Sequence, residues 1–255
     1  MTNRMIALVI PAYNEESTIY KSLSYILEYV EKLNDSYVLI CVDDGSEDQT
    51  FIEISKINSP AFIALQLNVN QGYGFALRFG MEHASRMGID YAIMMDSDLT
   101  NPISEVPIMV EKLQKGFDLV KASRFLRDSD MSQVENSRKI FSYFGNVFLR
   151  RLFDSDIRDV TNGFRGWKIE KYLALPILSR GFSSIVEEFL FASQRNYRIT
   201  ELPSKLGVRS GDQRSTAASY NLNAILKYLT PGIFYLLYHR LNFPILPKVL
   251  KKYEH

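Results

Sequence analysis

Apolar residues recur along the first half of the chain in two alternating patterns. Short apolar runs at residues 5–10, 37–42, 61–67, 91–95 and 117–122 have the length and composition of buried strands. Between them, residues 17–33, 48–57, 74–87 and 103–115 place apolar side chains three and four apart, which predicts helices. Strand–helix alternation on this scale predicts an α/β fold: a mostly parallel sheet covered by helices on both faces. The second half is less regular. Helices are expected at 136–153 and 183–195 and a strand at 197–202, while 205–219 carry the glycine, serine and charge of a loop.

Ligands of such sheets bind beyond the carboxyl ends of the strands, so the polar residues there carry the chemistry. They are Tyr13, Asn14 and Glu15 after the first run, Asp43 and Asp44 after the second, and Asp96, Ser97 and Asp98 after the fourth. Hard cations such as Mg²⁺ and Mn²⁺ take oxygen ligands and are often held by one or two carboxylates plus substrate phosphates. A strand ending in Asp96-Ser97-Asp98 can supply that pair, or the two acids can be solvated loop residues and helix caps. Asp43 and Asp44 repel one another unless hydrogen bonds or a cation compensate. Asp44-Gly45 can be a plain turn, or one acid can accept hydrogen bonds from a base or ribose. Asn70-Gln71-Gly72-Tyr73-Gly74 opens a helix and resembles a phosphate-cradling loop, although a helix start explains it equally well.

Composition narrows the classes. The 255 residues carry a formal charge of +1, which provides no global field for nucleic acid. One cysteine, Cys41, fits a reducing compartment and a buried strand position. No apolar stretch approaches the roughly 20 residues that span a bilayer. From Lys205 onward eight basic side chains face only Asp212 and Glu254, mixed with Tyr, Phe and Leu. That mixture predicts an amphipathic appendage at 216–255 lying on an anionic membrane or packing on the core or a second copy, beside a catalytic domain at 1–215.

Four segments taken in order resemble glycosyltransferase family 2, the GT-A group of inverting enzymes: Pro11-Ala12-Tyr13-Asn14-Glu15, Asp43-Asp44-Gly45-Ser46, Asn70-x-Gly72-x-Gly74-x-Ala76 and Asp96-Ser97-Asp98. Further on, Ala122-Ser123-Arg124, Asp159-Val160-Thr161-Asn162-Gly163-Phe164-Arg165, Gly181-Phe182 with Glu187, and Glu201-Leu202-Pro203 resemble the polyprenol-phosphate branch, typified by dolichol-phosphate mannosyltransferases. The resemblance extends over roughly residues 5–215. It implies a GT-A-like sheet and a nucleoside-diphosphate sugar donor, held by Pro11, Tyr13, Glu15, Asp44, Gly72, Asp96, Ser97 and Asp98. It also implies Mg²⁺ or Mn²⁺ on Asp96 and Asp98, and a polyprenyl phosphate acceptor met by Arg138 and Ser142, four residues apart on one helix face. Arg124, Arg209 and Arg214 are further candidates for that phosphate, because the guanidinium fork matches phosphate oxygens.

A phosphate acceptor is already anionic and needs positioning. A sugar hydroxyl would need a general base, for which Glu187 and Asp159 are the candidates; Glu187 and Glu188 can equally be helix-surface acids paired with Arg. The expected setting is the cytoplasmic face of a membrane, with peripheral association and a possible homo-oligomer. The sequence departs from the branch in three places. Tyr73 stands where Lys is frequent, Thr100-Asn101-Pro102 replaces Gln-His-Pro or Gln-Asp-Pro, and Arg209 to Arg214 is one residue tighter than the usual Arg-x-x-Gly-x-Ser-Lys. Two rivals come from other classes. Asp96-x-Asp98-x-Thr100 also fits a haloacid dehalogenase-type phosphatase, and the whole could be a non-catalytic sugar-nucleotide-binding scaffold. A Rossmann dehydrogenase is excluded, since Pro11-Ala12-Tyr13 replaces the Gly-x-Gly-x-x-Gly turn.

Overall fold

A computed structural model of the chain describes residues 5–207, apart from the side chains of Ser137 and Arg138. The 215/216 boundary, the appendage, Arg209 and Arg214 therefore lie outside the described residues, as does the Arg138 side chain.

The expected alternation is present. The strands β1 (Met5–Ala12), β2 (Ser36–Asp43), β3 (Phe62–Gln66), β4 (Tyr91–Met94) and β5 (Leu119–Ser123) alternate with α1 (Ile19–Val30), α2 (Thr50–Ser55), α3 (Tyr73–Arg86) and α4 (Val106–Gln114). They are followed by α5 (Asn136–Phe153), β6 (Arg165–Lys168), α6 (Ile169–Leu173), α7 (Ser184–Gln194) and β7 (Ile199–Pro203). One seven-stranded sheet runs β3-β2-β1-β4-β6-β5-β7. All pairings are parallel except those of β6, which lies antiparallel to both β4 and β5. Among the described residues no helix is long and apolar enough to cross a membrane.

Strand alternation divides the core. Ile6, Leu8 and Ile10 pack with Ile93, α1 and α4 on one face, while Ala7, Val9, Ala92, Met94 and Trp167 pack with α3 and α7 on the other. Both faces are dry, which is why the strands read as continuous apolar runs rather than alternating ones.

The sequence reading passes over β6 and α6. β6 is Arg-Gly-Trp-Lys, too short and too charged to announce a central strand, yet it sits between β4 and β5. Its arginine is fully buried. Register puts Arg165 opposite Met94 on one side and Lys121 on the other, and Lys121 in turn faces Glu201 of β7. Charged side chains thus form a row across the α3/α7 face of the sheet. Arg165 makes a two-pronged pair with Glu188 of α7, Nε to Oε2 and Nη2 to Oε1 at 2.6 Å each, and its Nη1 donates to the Gly163 carbonyl at 2.6 Å. The expected surface position of Glu188 is therefore corrected: it is buried, because only a carboxylate there can neutralise Arg165.

Lys121, also fully buried, donates through Nζ to the Asn162 carbonyl at 3.1 Å. Burial, assisted by the neighbouring Arg165 charge, brings its pKa from 10.5 down to about 7, against the pull of Asp159, Glu188 and Glu201. The folded pKa lies below the unfolded one, so between about pH 7 and pH 10 the unfolded chain binds more protons, and Lys121 makes stability rise with pH over that window. Thermal melts across it should show a rise in the wild type that Lys121→Met flattens; parallel profiles for the two proteins would refute the assignment.

Candidate active site

Three strand ends and one helix start converge at the carboxyl edge of the sheet. At the end of β4, Asp96 and Asp98 are half-buried with Ser97 buried between them. Leu99, next in line, has φ +57°, a left-handed conformation that costs a non-glycine residue on the order of 1 kcal/mol. The strain is tied down on one side by Asp98, whose Oδ1 accepts the Thr100 N–H at 3.0 Å, and on the other by Leu99 packing on the core.

Asp96 is fixed from α3. The Tyr73 hydroxyl donates to its Oδ1 at 3.1 Å. Burial and the adjacent Asp96 carboxylate push the Tyr73 pKa well above its ordinary value, opposed in part by Arg165, so the phenol remains protonated and acts as a donor. The Phe182 ring stacks on the Tyr73 ring with centroids 4.3 Å apart. Gly163 closes the arrangement: a Cβ there would sit 2.9 Å from the Tyr73 hydroxyl and 3.5 Å from Asp96 Oδ2. No side chain other than hydrogen lets the 159–165 loop approach that closely.

The loop before α3 differs from the phosphate cradle it resembles. The Gln71 and Gly72 N–H groups donate to Asp44 Oδ1 and Oδ2, each at 2.8 Å. The Gly74 and Phe75 N–H groups donate to the Arg180 carbonyl at 2.6 and 3.1 Å. Gly72, at φ +98°, and Gly74 make room for the 180–184 segment, since their Cβ atoms would lie 2.7 Å from the Arg180 oxygen and 2.5 Å from Ser184 Oγ. These amides bind protein, so Gly72 serves loop packing. Asp44 is placed accordingly: burial raises its pKa, and the two amides and the Asp43 charge act in opposite senses on it.

Asp43 is fully buried and accepts from Gln66 Nε2 at 3.1 Å and from the Ser46 backbone at 3.2 Å and hydroxyl. Ser46 Oγ in turn takes the Asn14 N–H at 3.0 Å, and Thr50 Oγ1 takes the Glu15 N–H at 2.7 Å. These bonds lock the turn after β1 to the turn after β2. Pro11 ends half-buried in β1, Tyr13 is exposed, and Glu15 accepts from the Thr18 hydroxyl at 3.2 Å.

Two candidate bases are engaged elsewhere. Asp159 is fully buried and accepts Arg124 Nε at 2.7 Å, Nη2 at 2.8 Å and the Arg124 backbone N–H at 3.0 Å. Burial alone would raise its pKa; the Arg124 charge and hydrogen bonds, with Lys121 nearby, outweigh that and hold it below the usual carboxylate range. A carboxylate with lowered basicity inside an ion pair is a poor proton acceptor, and Asp159 here holds Arg124. Arg124 turns Nε and Nη2 to the Asp159 carboxylate, and Nη2 also reaches Thr161 Oγ1 at 2.8 Å.

Glu187 is likewise buried rather than on the helix surface. It accepts from the Leu178 and Ser179 N–H groups at 3.0 and 2.9 Å and from the Ser179 hydroxyl at 2.8 Å. Burial raises its pKa, against the Ser179 hydrogen bonds. Its place is beneath the loop that carries Arg180 and Phe182.

Helix α5 meets the site through Asn146, which is buried. Its Oδ1 accepts the Val160 N–H at 2.7 Å and its Nδ2 donates to Thr161 Oγ1 at 3.0 Å and to the Ser142 carbonyl at 2.9 Å. Ser142 is thereby held one turn from the 159–165 loop. The reading from sequence missed Tyr73 as the partner of Asp96, and Lys121 as a buried cation. A lysine inside the apolar run 117–122 was the available signal for the second.

Asp96 and Asp98 suit Mg²⁺ or Mn²⁺ by donor chemistry. Among the described residues no group of three or more His, Cys, Asp or Glu side chains gathers.

The profile of Glycosyl transferase family 2 matches residues 7–172. An undecaprenyl-phosphate 4-deoxy-4-formamido-L-arabinose transferase of Pseudomonas fluorescens is 35% identical over 191 residues, 70% of this chain and 54% of that protein. A dolichol-phosphate mannosyltransferase of Pyrococcus furiosus is 25% identical over 210 residues, 80% of this chain and 57% of that protein. The chain thus spans about half the length of the curated relatives it matches. Among solved structures, glucosyl-3-phosphoglycerate synthase of Mycobacterium tuberculosis, in complex with Mn²⁺, UDP and phosphoglyceric acid, shares the fold with a TM-score of 0.68 at 24% identity, over 95% of this chain and 80% of that one. The same enzyme has been crystallised with Mn²⁺, UDP-glucose and phosphoglyceric acid. The fold is that of the GT-A glycosyltransferases, and the chain belongs to glycosyl transferase family 2.

Proposed function

We propose that the chain transfers a sugar from a UDP- or GDP-linked donor to a polyprenyl phosphate at the cytoplasmic surface of a membrane. The observation that carries this reading is the junction of Asp96 and Asp98 with Tyr73 and the 159–165 loop at the carboxyl edge of the sheet. The relatives named for undecaprenyl phosphate and dolichol phosphate support the acceptor class, and the UDP-glucose and Mn²⁺ complexes of the structural neighbour support the donor and the metal.

Asp96 and Asp98 would hold Mg²⁺ or Mn²⁺, which when bound offsets the charge that builds on the departing diphosphate. Tyr73 orients Asp96 by hydrogen bonding, and the Thr100 amide orients Asp98. Pro11, Tyr13, Glu15, Asp44 and Ser97 would hold the nucleoside and diphosphate. Attack on the anomeric carbon requires either an ionised acceptor or a base. Asp159 and Glu187, the two base candidates, are both committed to protein partners. A phosphate monoester arrives ionised, so this arrangement favours it over a sugar hydroxyl. Arg138, Ser142, Arg209 and Arg214 remain the groups to position that phosphate.

Incubating the chain with radiolabelled UDP- and GDP-sugars, Mn²⁺ and polyprenyl phosphate in detergent should move label into the organic phase. Label confined to water-soluble saccharides would defeat the lipid assignment. Asp98→Asn should lower transfer by about 100-fold or more while leaving the fold intact by circular dichroism. Tyr73→Phe removes the hydrogen bond to Asp96 and the hydroxyl's contact with Arg165 while keeping the ring. It should cost about tenfold in activity and shift the Mn²⁺ dependence to higher concentration, as loss of a ligand-orienting partner does. An unchanged metal titration would remove Tyr73 from the site.

A further inference from the structure

Residues 178–183 form a strap from α7 to the start of α3. One end is held by Glu187, which is 2% exposed. Its Oε2 takes the Leu178 and Ser179 N–H groups at 3.0 and 2.9 Å, and its Oε1 takes the Ser179 hydroxyl at 2.8 Å. The other end rests on α3. The Arg180 carbonyl accepts the Gly74 and Phe75 N–H groups at 2.6 and 3.1 Å, and Arg180 Nη1 donates to Gln71 Oε1 at 2.8 Å. Burying a carboxylate costs free energy unless donors compensate it. These three donors lie in one two-residue stretch, so the conformation that the acid stabilises is that of the strap.

The strap carries this hold to the strand-end acids. Tyr73 is the first residue of α3, and its hydroxyl meets Asp96 Oδ1 at 3.1 Å. That contact depends on where the first turn of the helix sits and on the angle of the ring. The Arg180 carbonyl sets the first, because it takes two of the amides that a helix leaves unpaired at its N-terminus. The Phe182 ring sets the second, lying on the Tyr73 ring at 4.3 Å and 23° from parallel. Gly72 and Gly74 make the approach possible, since a Cβ on either would collide with Arg180 or Ser184.

We propose that Glu187 is a positioning residue for the metal-binding acids: through the 178–183 strap it fixes Tyr73, and through Tyr73 the Asp96 carboxylate. The role deepens the sugar-transfer reading and rests on it for the metal and the donor. Glu187 moves no proton in it.

An isosteric change separates this role from that of a base. Glu187→Gln keeps an oxygen for the two amides and an NH₂ for the Ser179 hydroxyl, so transfer and its Mn²⁺ dependence should stay close to wild type. Glu187→Ala frees the strap and should raise the Mn²⁺ concentration for half-maximal transfer by about tenfold, as loss of a ligand-orienting partner does. Phe182→Leu alters an exposed side chain, leaves the core intact and should shift the Mn²⁺ dependence in the same direction. Either change combined with Tyr73→Phe should shift it by less than the sum of the two, because both act through the Tyr73 hydroxyl. Hydrogen exchange followed by NMR reads the link without metal, donor or turnover. The Gly74 and Phe75 amides should exchange faster in Glu187→Ala and at the wild-type rate in Glu187→Gln. An inactive Glu187→Gln with wild-type exchange, additive double variants, or exchange at Gly74 and Phe75 indifferent to Glu187→Ala would each overturn the proposal. A wild-type chain that binds neither UDP nor GDP with Mn²⁺ would instead sink the sugar-transfer reading, and the exchange rates would still decide whether Glu187 governs the start of α3.

Discussion

The buried pair between Arg165 and Glu188 is the constraint around which the site is organised. Taking two charges out of water costs several kcal/mol per ion, and a single-pronged contact would not recover it. Here the guanidinium fork meets both carboxylate oxygens, and its remaining nitrogen holds the Gly163 carbonyl. The pair ties the middle of the sheet to α7, and the third bond ties both to the loop that lies over Asp96. Removing either partner would leave a bare charge in the core and also release Gly163 from its place against Tyr73.

That constraint spreads by register. β6 can accept a charged residue between β4 and β5 because its neighbours in the same row are Met94, which is apolar and pliant, and Lys121, which faces Glu201. Glu201 uses its two oxygens on the Arg158 and Asp159 N–H groups, both at 2.8 Å, and Lys121 holds the Asn162 carbonyl. One loop is therefore gripped along its length by β7, β5, β6 and α5. A segment fixed at so many backbone atoms holds Gly163 in place against Tyr73 and Asp96.

Most of the sheet was legible because its faces are both dry: unbroken apolar runs such as residues 5–10 and 91–95 leave few alternatives. Helix α5 was read with its observed ends, because its apolar residues repeat at three and four along its whole length. β6 was not legible. Its identity as a strand comes from partners as distant along the chain as Tyr91 and Lys121, and in isolation Arg-Gly-Trp-Lys resembles a loop. The acids divided in the same way. Asp96 and Asp98 stand where strand-end logic places them, whereas the burial of Glu187, Glu188 and Asp159 was not legible because it depends on which cation or amide the fold brings to them. Spacing along the chain carries no information on that.

Tyr73 shows why a departure from a family pattern needs the structure to interpret it. Where related sequences frequently carry lysine, this chain has a neutral donor that cannot ionise in its setting. A lysine at that position would bring a full positive charge beside Asp96 and close to Arg165, in a pocket already held by one buried cation. The phenol supplies the hydrogen bond without that charge, and its ring gains the stack with Phe182 that an alkyl chain could not match. The stacked pair thereby stands beside the Asp96 carboxylate. In this chain the group that orients the strand-end carboxylate is therefore set by the buried Arg165 beneath it.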